Sequence, residues 1–357
     1  MSPPVHRVLM TTDAVSGAWN CSLELCRALA ARGVRVDLAL FGGPLSTART
    51  LEARDVSGLV LYECPGDAEA GDAWLLALEE RLAPDIIHLH DVNHAELAWK
   101  APTVLGVHGC PLPRCEGVPA GVGAAERYSN SWHDTTRGLR AAGCVVAPSA
   151  AMLASLERHH GPFRSTRVIA PARRAEAFLP DAKEPFVFSS CRVWDESKNL
   201  AALEAIAPRL SVPVRIAGTA SRIVQAESLG VLSPWELAGW MSRASVFVRP
   251  ARDEPIGLSA LEAALAGCAL VLGDIPSLRE VWGDAALFVH PDDVEGLAQA
   301  LRWLMAHPSE REGRANRART RALTFTPRRM ADAFLEVYAA LSVRPFEPWA
   351  RPLLHAS

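Results

Sequence analysis

Residues 246–280, VFVRPARDEPIGLSALEAALAGCALVLGDIPSLRE, constrain this chain more than any other stretch. They read as a strand (246–249), a charged turn (250–255), a helix (257–266), a second strand (268–272) and a loop (274–280). At about 100° per residue, Leu258, Leu261, Leu265 and Ala269 form one apolar stripe, and Glu262 falls inside it. A carboxylate on a buried face is costly unless something hydrogen-bonds it, and a ligand with two adjacent hydroxyls would serve. Glu254 stands eight residues earlier, in the turn before the helix. The free amides of Gly257, Leu258 and Ser259 open that helix, and a helix N-terminus attracts anions. Two carboxylates and an anion-binding amide cluster, placed after a parallel-sheet strand, suit a sugar nucleotide.

The same residues carry a resemblance. EPIGLSALEAALAGCALVLGDIPSLREVWGDAALFVHPDD resembles the donor-site signature of retaining glycosyltransferases of family 4, the group 1 glycosyl transferases. That pattern is Glu, seven residues, Glu, with a Gly-Leu step between, and Glu254, Gly257, Leu258 and Glu262 match it; a surface Glu254 and a salt-bridged Glu262 are the alternative. The resemblance implies the GT-B fold, two Rossmann-like, doubly wound α/β domains facing across a cleft. The resemblance covers nearly the whole chain, strongest from 186 to 306 and weaker before 172.

Bulk properties agree with a two-domain enzyme. At 357 residues the chain exceeds one ordinary core. An apolar fraction of 49% and a net charge of −3 describe a globular chain without the basic field that nucleic acid requires. No apolar run approaches the ~18 residues that a membrane span needs, although peripheral contact with a membrane stays open. MSPPVHRVLMTT reads as a first strand rather than a signal peptide. The eight cysteines are scattered; Cys144, Cys191 and Cys268 adjoin β-rich runs as small core residues, and Cys110-x4-Cys115 lacks a partner pair for zinc. Reduced thiols and a cytoplasmic location follow.

In chain order, a strand (7–11), a turn (12–19), a helix (20–32) and a strand (34–41) make one right-handed βαβ unit. The turn, TDAVSGAW, places Gly17 where the family has a glycine loop, with Ser16 replacing the first glycine. A plain tight turn is the alternative. Strands follow at 58–62, 85–89 and 103–107, with a helix at 72–81. The last two strands end at His90 and His108, on the ligand-binding edge of such a sheet. His90 serves either function or structure; the resemblance makes His108 the first-domain histidine that faces the donor sugar. Residues 110–123 are a Pro/Gly-rich acceptor-side loop. A helix (124–142), a strand (144–147), and a helix (150–159) capped by Ser149 come next. After the strand ending at 169, Ala170-Pro171-Ala172 replaces the family's Pro-Asn-Gly. The linker is expected within 172–184.

The second domain opens with a strand (186–190), then Arg192 and, six residues on, Lys198 at the start of a helix. Two cations over one strand-to-helix turn suit a diphosphate. The family has Gly-Arg-Leu there, with Cys191 now replacing the glycine. A strand at 214–218 and the Val231-Leu232 segment precede a Ser233-Pro234 helix start; in the family this segment lies against the base, so Val231 and Leu232 are assigned to the nucleotide. A strand (286–289), a helix (293–304) and an amphipathic helix (327–341) complete the chain. The expected division is 1–172, 173–325 and a 326–357 helix and tail that returns to the first domain.

The resemblance implies a retaining transfer of a hexose from a nucleotide sugar to an acceptor hydroxyl. His108, Arg192, Lys198 and Glu254 are the expected catalytic groups. Gly17, Val231, Leu232, the 257–259 amides and Glu262 join them in holding the donor. No metal and no further cofactor are expected, since no Asp-x-Asp pair follows a strand. The acceptor, the sugar and the base are not specified. A phosphorylase or epimerase of the same fold, or a nucleotide-binding protein without activity, are the rivals.

Overall fold

The computed structural model describes residues 5–13, 18–66, 68–108, 124–190, 195–218, 223–255 and 257–342. The first domain is a seven-stranded parallel sheet. Its strands are β1 (Arg7–Asp13), β2 (Arg35–Phe41), β3 (Val60–Glu63), β4 (Ile86–Leu89), β5 (Thr103–Gly106), β6 (Cys144–Ala147) and β7 (Thr166–Val168), in the order β3-β2-β1-β4-β5-β6-β7. Helices α1 (Ala18–Ala30), α2 (Thr47–Arg54), α3 (Ala68–Leu82), α4 (Ala124–Ala141) and α5 (Ala150–His160) connect them. Ser149 caps α5 by accepting from the Met152 amide at 3.2 Å, as its sequence position predicts.

The second domain repeats the plan with six parallel strands, β8 (Glu184–Ser190), β9 (Val214–Ala217), β10 (Glu227–Gly230), β11 (Ala244–Arg249), β12 (Ala269–Gly273) and β13 (Leu287–Val289). Their order is β10-β9-β8-β11-β12-β13. Its helices are α6 (Leu200–Ile206), α7 (Pro234–Arg243), α8 (Leu258–Leu265), α9 (Pro276–Trp282), α10 (Val294–Ala306) and α11 (Pro308–Ala322); α12 (Pro327–Ser342) follows. β11 and β12 are buried along their whole length, which is why both read as continuous apolar runs.

Each sheet carries an apolar cluster on either face. Ile169 and Ala172 belong to the first domain's core and Phe178 to the second's, so the chain crosses at 173–177. Met330, Phe334 and Tyr338 of α12 lie in the first domain's cluster with Leu25 and Leu29 of α1. Among the described residues no helix is long and apolar enough to cross a membrane.

Three local expectations are corrected. Residues 276–282 are the helix α9, not a loop; Leu278 and Trp282, four apart, are its buried face. Helix α8 ends at Leu265, so Ala269, a strand residue as expected, does not extend its apolar stripe. Lys198 does not start a helix; it ends a single 3₁₀ turn (Glu196–Lys198), after which Asn199 turns left-handed (φ 57°) and α6 begins.

Candidate active site

In an open α/β sheet, ligands bind beyond the strand C-termini where the strand order reverses. In the second domain that point lies between β8 and β11. The loop after β8 is pinned there by Asn199, whose side-chain amide donates to the carbonyls of Pro250 (3.0 Å) and Pro291 (2.8 Å). Lys198 is thereby held against the turn after β11. Its ammonium donates to the Asp253 carbonyl at 3.0 Å and pairs with Glu254 Oε2 at 3.3 Å and Asp195 Oδ2 at 3.8 Å.

Glu254 lies before α8, with its carbonyl receiving the Ser277 hydroxyl at 2.6 Å. Its Oε1 accepts the Gly257 amide at 3.3 Å. One of the three amides expected to be free is therefore engaged, and Leu258 and Ser259 remain as the first-turn donors. Gly257 caps the helix at φ +70°, and a Cβ there would come within 3.0 Å of Leu278. Only glycine makes this tight entry without strain.

Glu262 is buried on α8, as its place in the stripe predicts, but its partner is a side chain of the crossing segment. Arg173 Nε lies 2.9 Å from Glu262 Oε1. The same guanidinium reaches Glu24 of α1 at 3.4 Å, where Arg174 (3.4 Å) and Arg27 (3.6 Å) also converge. Burial raises the Glu262 carboxyl above its ordinary range, and the Arg173 charge opposes that rise. Glu24, Arg173 and Glu262 thus join both domains through the linker.

In the first domain, β4 and β5 bring three histidines together. His108 Nε2 and His90 Nδ1 are 2.6 Å apart, so one donates and the other accepts. The His90 ring lies 4.7 Å from that of His88, whose Nδ1 is 2.6 Å from the Tyr338 hydroxyl of α12. Gly106 makes the stack possible, because a Cβ there would sit 3.1 Å from His90 Nδ1 and 3.2 Å from His88 Nε2. Burial lowers His108 to about 4 and His88 to about 3. Burial, then the neighbouring His108 and His88, hold His90 well below its ordinary value. All three are neutral near pH 7. A small pocket opens beside His90 and His108, walled by Leu25, Val107, Met330 and Phe334.

The structure brings Lys198, Glu254, Gly257, Leu258 and Ser259 into one cluster and sets Glu262 behind it on the same helix. Val231 is 78% exposed and Leu232 packs on the second core, both before α7. Gly17, Arg192 and the 110–123 loop lie outside the described residues. Sequence reading missed Arg173, Glu24, His88 and Arg249 as site neighbours. The one available signal was charge inside apolar stretches: Glu24 within α1, His88 within β4 and Arg249 at the end of β11.

Solved structures share this fold across nearly the whole chain. The sucrose-phosphate synthase of Thermosynechococcus elongatus superposes with a TM-score of 0.80 at 18% identity, over 94% of this chain and 99% of that one. Anabaena HepE, solved with UDP and glucose, gives 0.77 at 16% identity over 94% of this chain and 100% of that one. The architecture is that of the GT-B glycosyltransferases. Residues 15–173 match the family described as Glycosyltransferase Family 4, and residues 185–307 match Glycosyl transferases group 1. The glycogen synthase of Mycobacterium tuberculosis is 28% identical over 309 residues, 77% of this chain and 73% of that protein. The chain belongs to glycosyltransferase family 4, the group 1 glycosyl transferases, and is a glycosyltransferase.

Proposed function

We propose that this protein moves a hexose from a nucleoside diphosphate sugar to an acceptor hydroxyl, with retention at the anomeric carbon and without a metal. The observation that carries this reading is the cluster of Lys198, Glu254 and the α8 N-terminus at the second domain's switch point. Charge builds on the diphosphate as the anomeric carbon becomes cationic. Lys198, Arg192 and the amides of Leu258 and Ser259 meet that charge in place. Lys198 has three N–H groups; two face Asp253 and Glu254, and Asp195 at 3.8 Å leaves the third to a phosphate oxygen. Glu254 holds sugar hydroxyls, and Glu262, with Oε1 kept by Arg173, takes the ribose through Oε2. No side chain acts as a covalent nucleophile; the departing phosphate takes the acceptor proton on the same face. Two opposed carboxylates, the retaining glycosidase plan, have no counterpart in this reading. His108 faces the sugar from the other domain, and closure keeps water from the activated sugar. The free thiols of Cys21, Cys26, Cys64, Cys144 and Cys268 fit a reducing cytoplasm.

The test is a thermal-shift screen with UDP, GDP, ADP and their sugars, followed by release of nucleoside diphosphate in EDTA. A specific donor raises the melting temperature by mass action, and turnover persists in chelator. Complete loss in EDTA restored by Mn²⁺ would overturn the metal-free part, and no stabilisation by any nucleotide would overturn the donor assignment.

A further inference from the structure

Arg249, the last residue of β11, carries a buried charge with the Phe247 ring 5.9 Å from its Cζ but no carboxylate paired to it among the described residues. It is 4% exposed. Its Nη2 donates to the Ser190 carbonyl at the end of β8 and to the Ser259 hydroxyl (2.7 Å) in the first turn of α8. Both acceptors are neutral. Its Nε is buried with no partner. Among the described residues no carboxylate comes within ion-pair distance. Glu262, which feels its charge, is held by Arg173 at 2.9 Å. A guanidinium does not escape by losing its proton. Hydrogen bonds to neutral oxygens orient it but do not cancel its charge, and burying an unpaired ion is costly. A buried arginine without a counter-ion implies that an anion completes the site.

Its place says which anion. Arg249 spans the two strand ends that flank the switch point and touches the first turn of α8. Pro250, the next residue, accepts from Asn199, the residue after Lys198. Lys198 already faces Glu254 at 3.3 Å, so its charge is largely balanced before any ligand arrives. We infer that Arg249 is a further phosphate-binding residue of this site, supplying the uncompensated positive charge that a nucleoside diphosphate neutralises. The inference rests on the donor reading above and adds a group that the Glu-x7-Glu signature does not contain. It also explains why an ion sits at the end of a wholly buried strand. Ser259 then has a second task, holding the guanidinium toward the helix amides.

The experiment compares wild type with Arg249→Met, Arg249→Gln and Arg249→Lys. Calorimetry uses whichever of UDP, GDP and ADP the wild type binds most tightly, with inorganic pyrophosphate as a base-free probe; unliganded melting temperatures are measured alongside. We expect Met and Gln to weaken diphosphate binding tenfold or more and Lys to recover part of it. Their unliganded melting temperatures should match or exceed wild type, because the unpaired buried charge is gone. Wild-type affinity in the Met and Gln variants would overturn the inference. So would a fall of several degrees in unliganded melting temperature with diphosphate affinity retained in the molecules that stay folded, which is the signature of a mere brace. If the Met variant does not fold, Gln, which keeps an N–H donor, decides. If the wild type binds no nucleoside diphosphate, the donor reading fails by itself. Pyrophosphate then decides the arginine: binding that the Met and Gln variants lose supports it, and binding equal across variants, or none, overturns it.

Discussion

Lys198 and His108 are single side chains whose partners set what their removal does. Lys198→Ala takes away a phosphate donor and also leaves Glu254 without the cation 3.3 Å away. The freed carboxylate then faces an incoming anion. Nucleoside diphosphate affinity should fall by about 1.5–3 kcal/mol, the range for a charged hydrogen bond, measured by calorimetry. Unchanged affinity would remove the diphosphate from this turn. His108 sits on the other domain and makes its 2.6 Å contact with His90. His108→Ala should leave diphosphate affinity near wild type while transfer falls about tenfold, equivalent to ~1.4 kcal/mol of lost oriented contact. A folded variant with a wild-type transfer rate would unseat the histidine from the sugar site; a rate that recovers on cooling would mark it as a brace.

At the scale of elements, α9 and α5 make the link between domains that sequence periodicity could not supply. Both oxygens of Glu280 on α9 accept amides of the first turn of α5, Ala150 and Ala151, each at 2.7 Å. A carboxylate at a helix N-terminus satisfies orphan donors and opposes the dipole. Domain opening must break this clamp. Glu280→Gln should therefore raise amide hydrogen exchange at Ala150 and Ala151 and shift the solution ensemble to a wider cleft in small-angle scattering. Identical exchange in both proteins would mean that the clamp does not hold the domains. Helix α11 shows the converse limit of pattern reading. Its buried face is only Ala318 and Ala322, so its arginine-rich sequence carries little apolar rhythm, and Pro308 at its start is the main signal.

The whole molecule is tied together by α12, which ends in the first domain's core and places Tyr338 on His88. The burial of His88 beneath α12, with His108 nearby, makes stability depend on pH. His88 is neutral and fully buried, lowered to about 3 in the fold against about 6.5 when unfolded. Between those values the unfolded chain binds the extra proton, so stability falls as pH falls through that window. From pH 7 to pH 5 the loss from His88 alone is about 2 kcal/mol. His108, lowered to about 4, adds in the same direction. Melting temperatures at pH 7 and pH 5 should diverge less in a His88→Phe, Tyr338→Phe double variant than in wild type; an equal acid shift would place the sensitivity elsewhere.

The alternation of strands and helices, the two-domain plan, the caps at Ser149 and Ser233, and the clustering of Lys198, Glu254 and the α8 N-terminus follow from the sequence. Periodicity, capping chemistry and a short spaced motif are local, and local terms act within a few residues. The edge strand β10, half-exposed, and the short α9 escaped because little apolar surface marks them. Which charge meets which was decided only in three dimensions. His88 finds Tyr338 250 residues away, and Glu280 finds the α5 amides 130 residues away. Glu262 reads in sequence as a carboxylate awaiting a diol, yet the crossing segment brings Arg173 to it first. Buried charges and ring stacks are satisfied by whatever the packed backbone brings within about 3 Å, and no property of the residue itself names that partner.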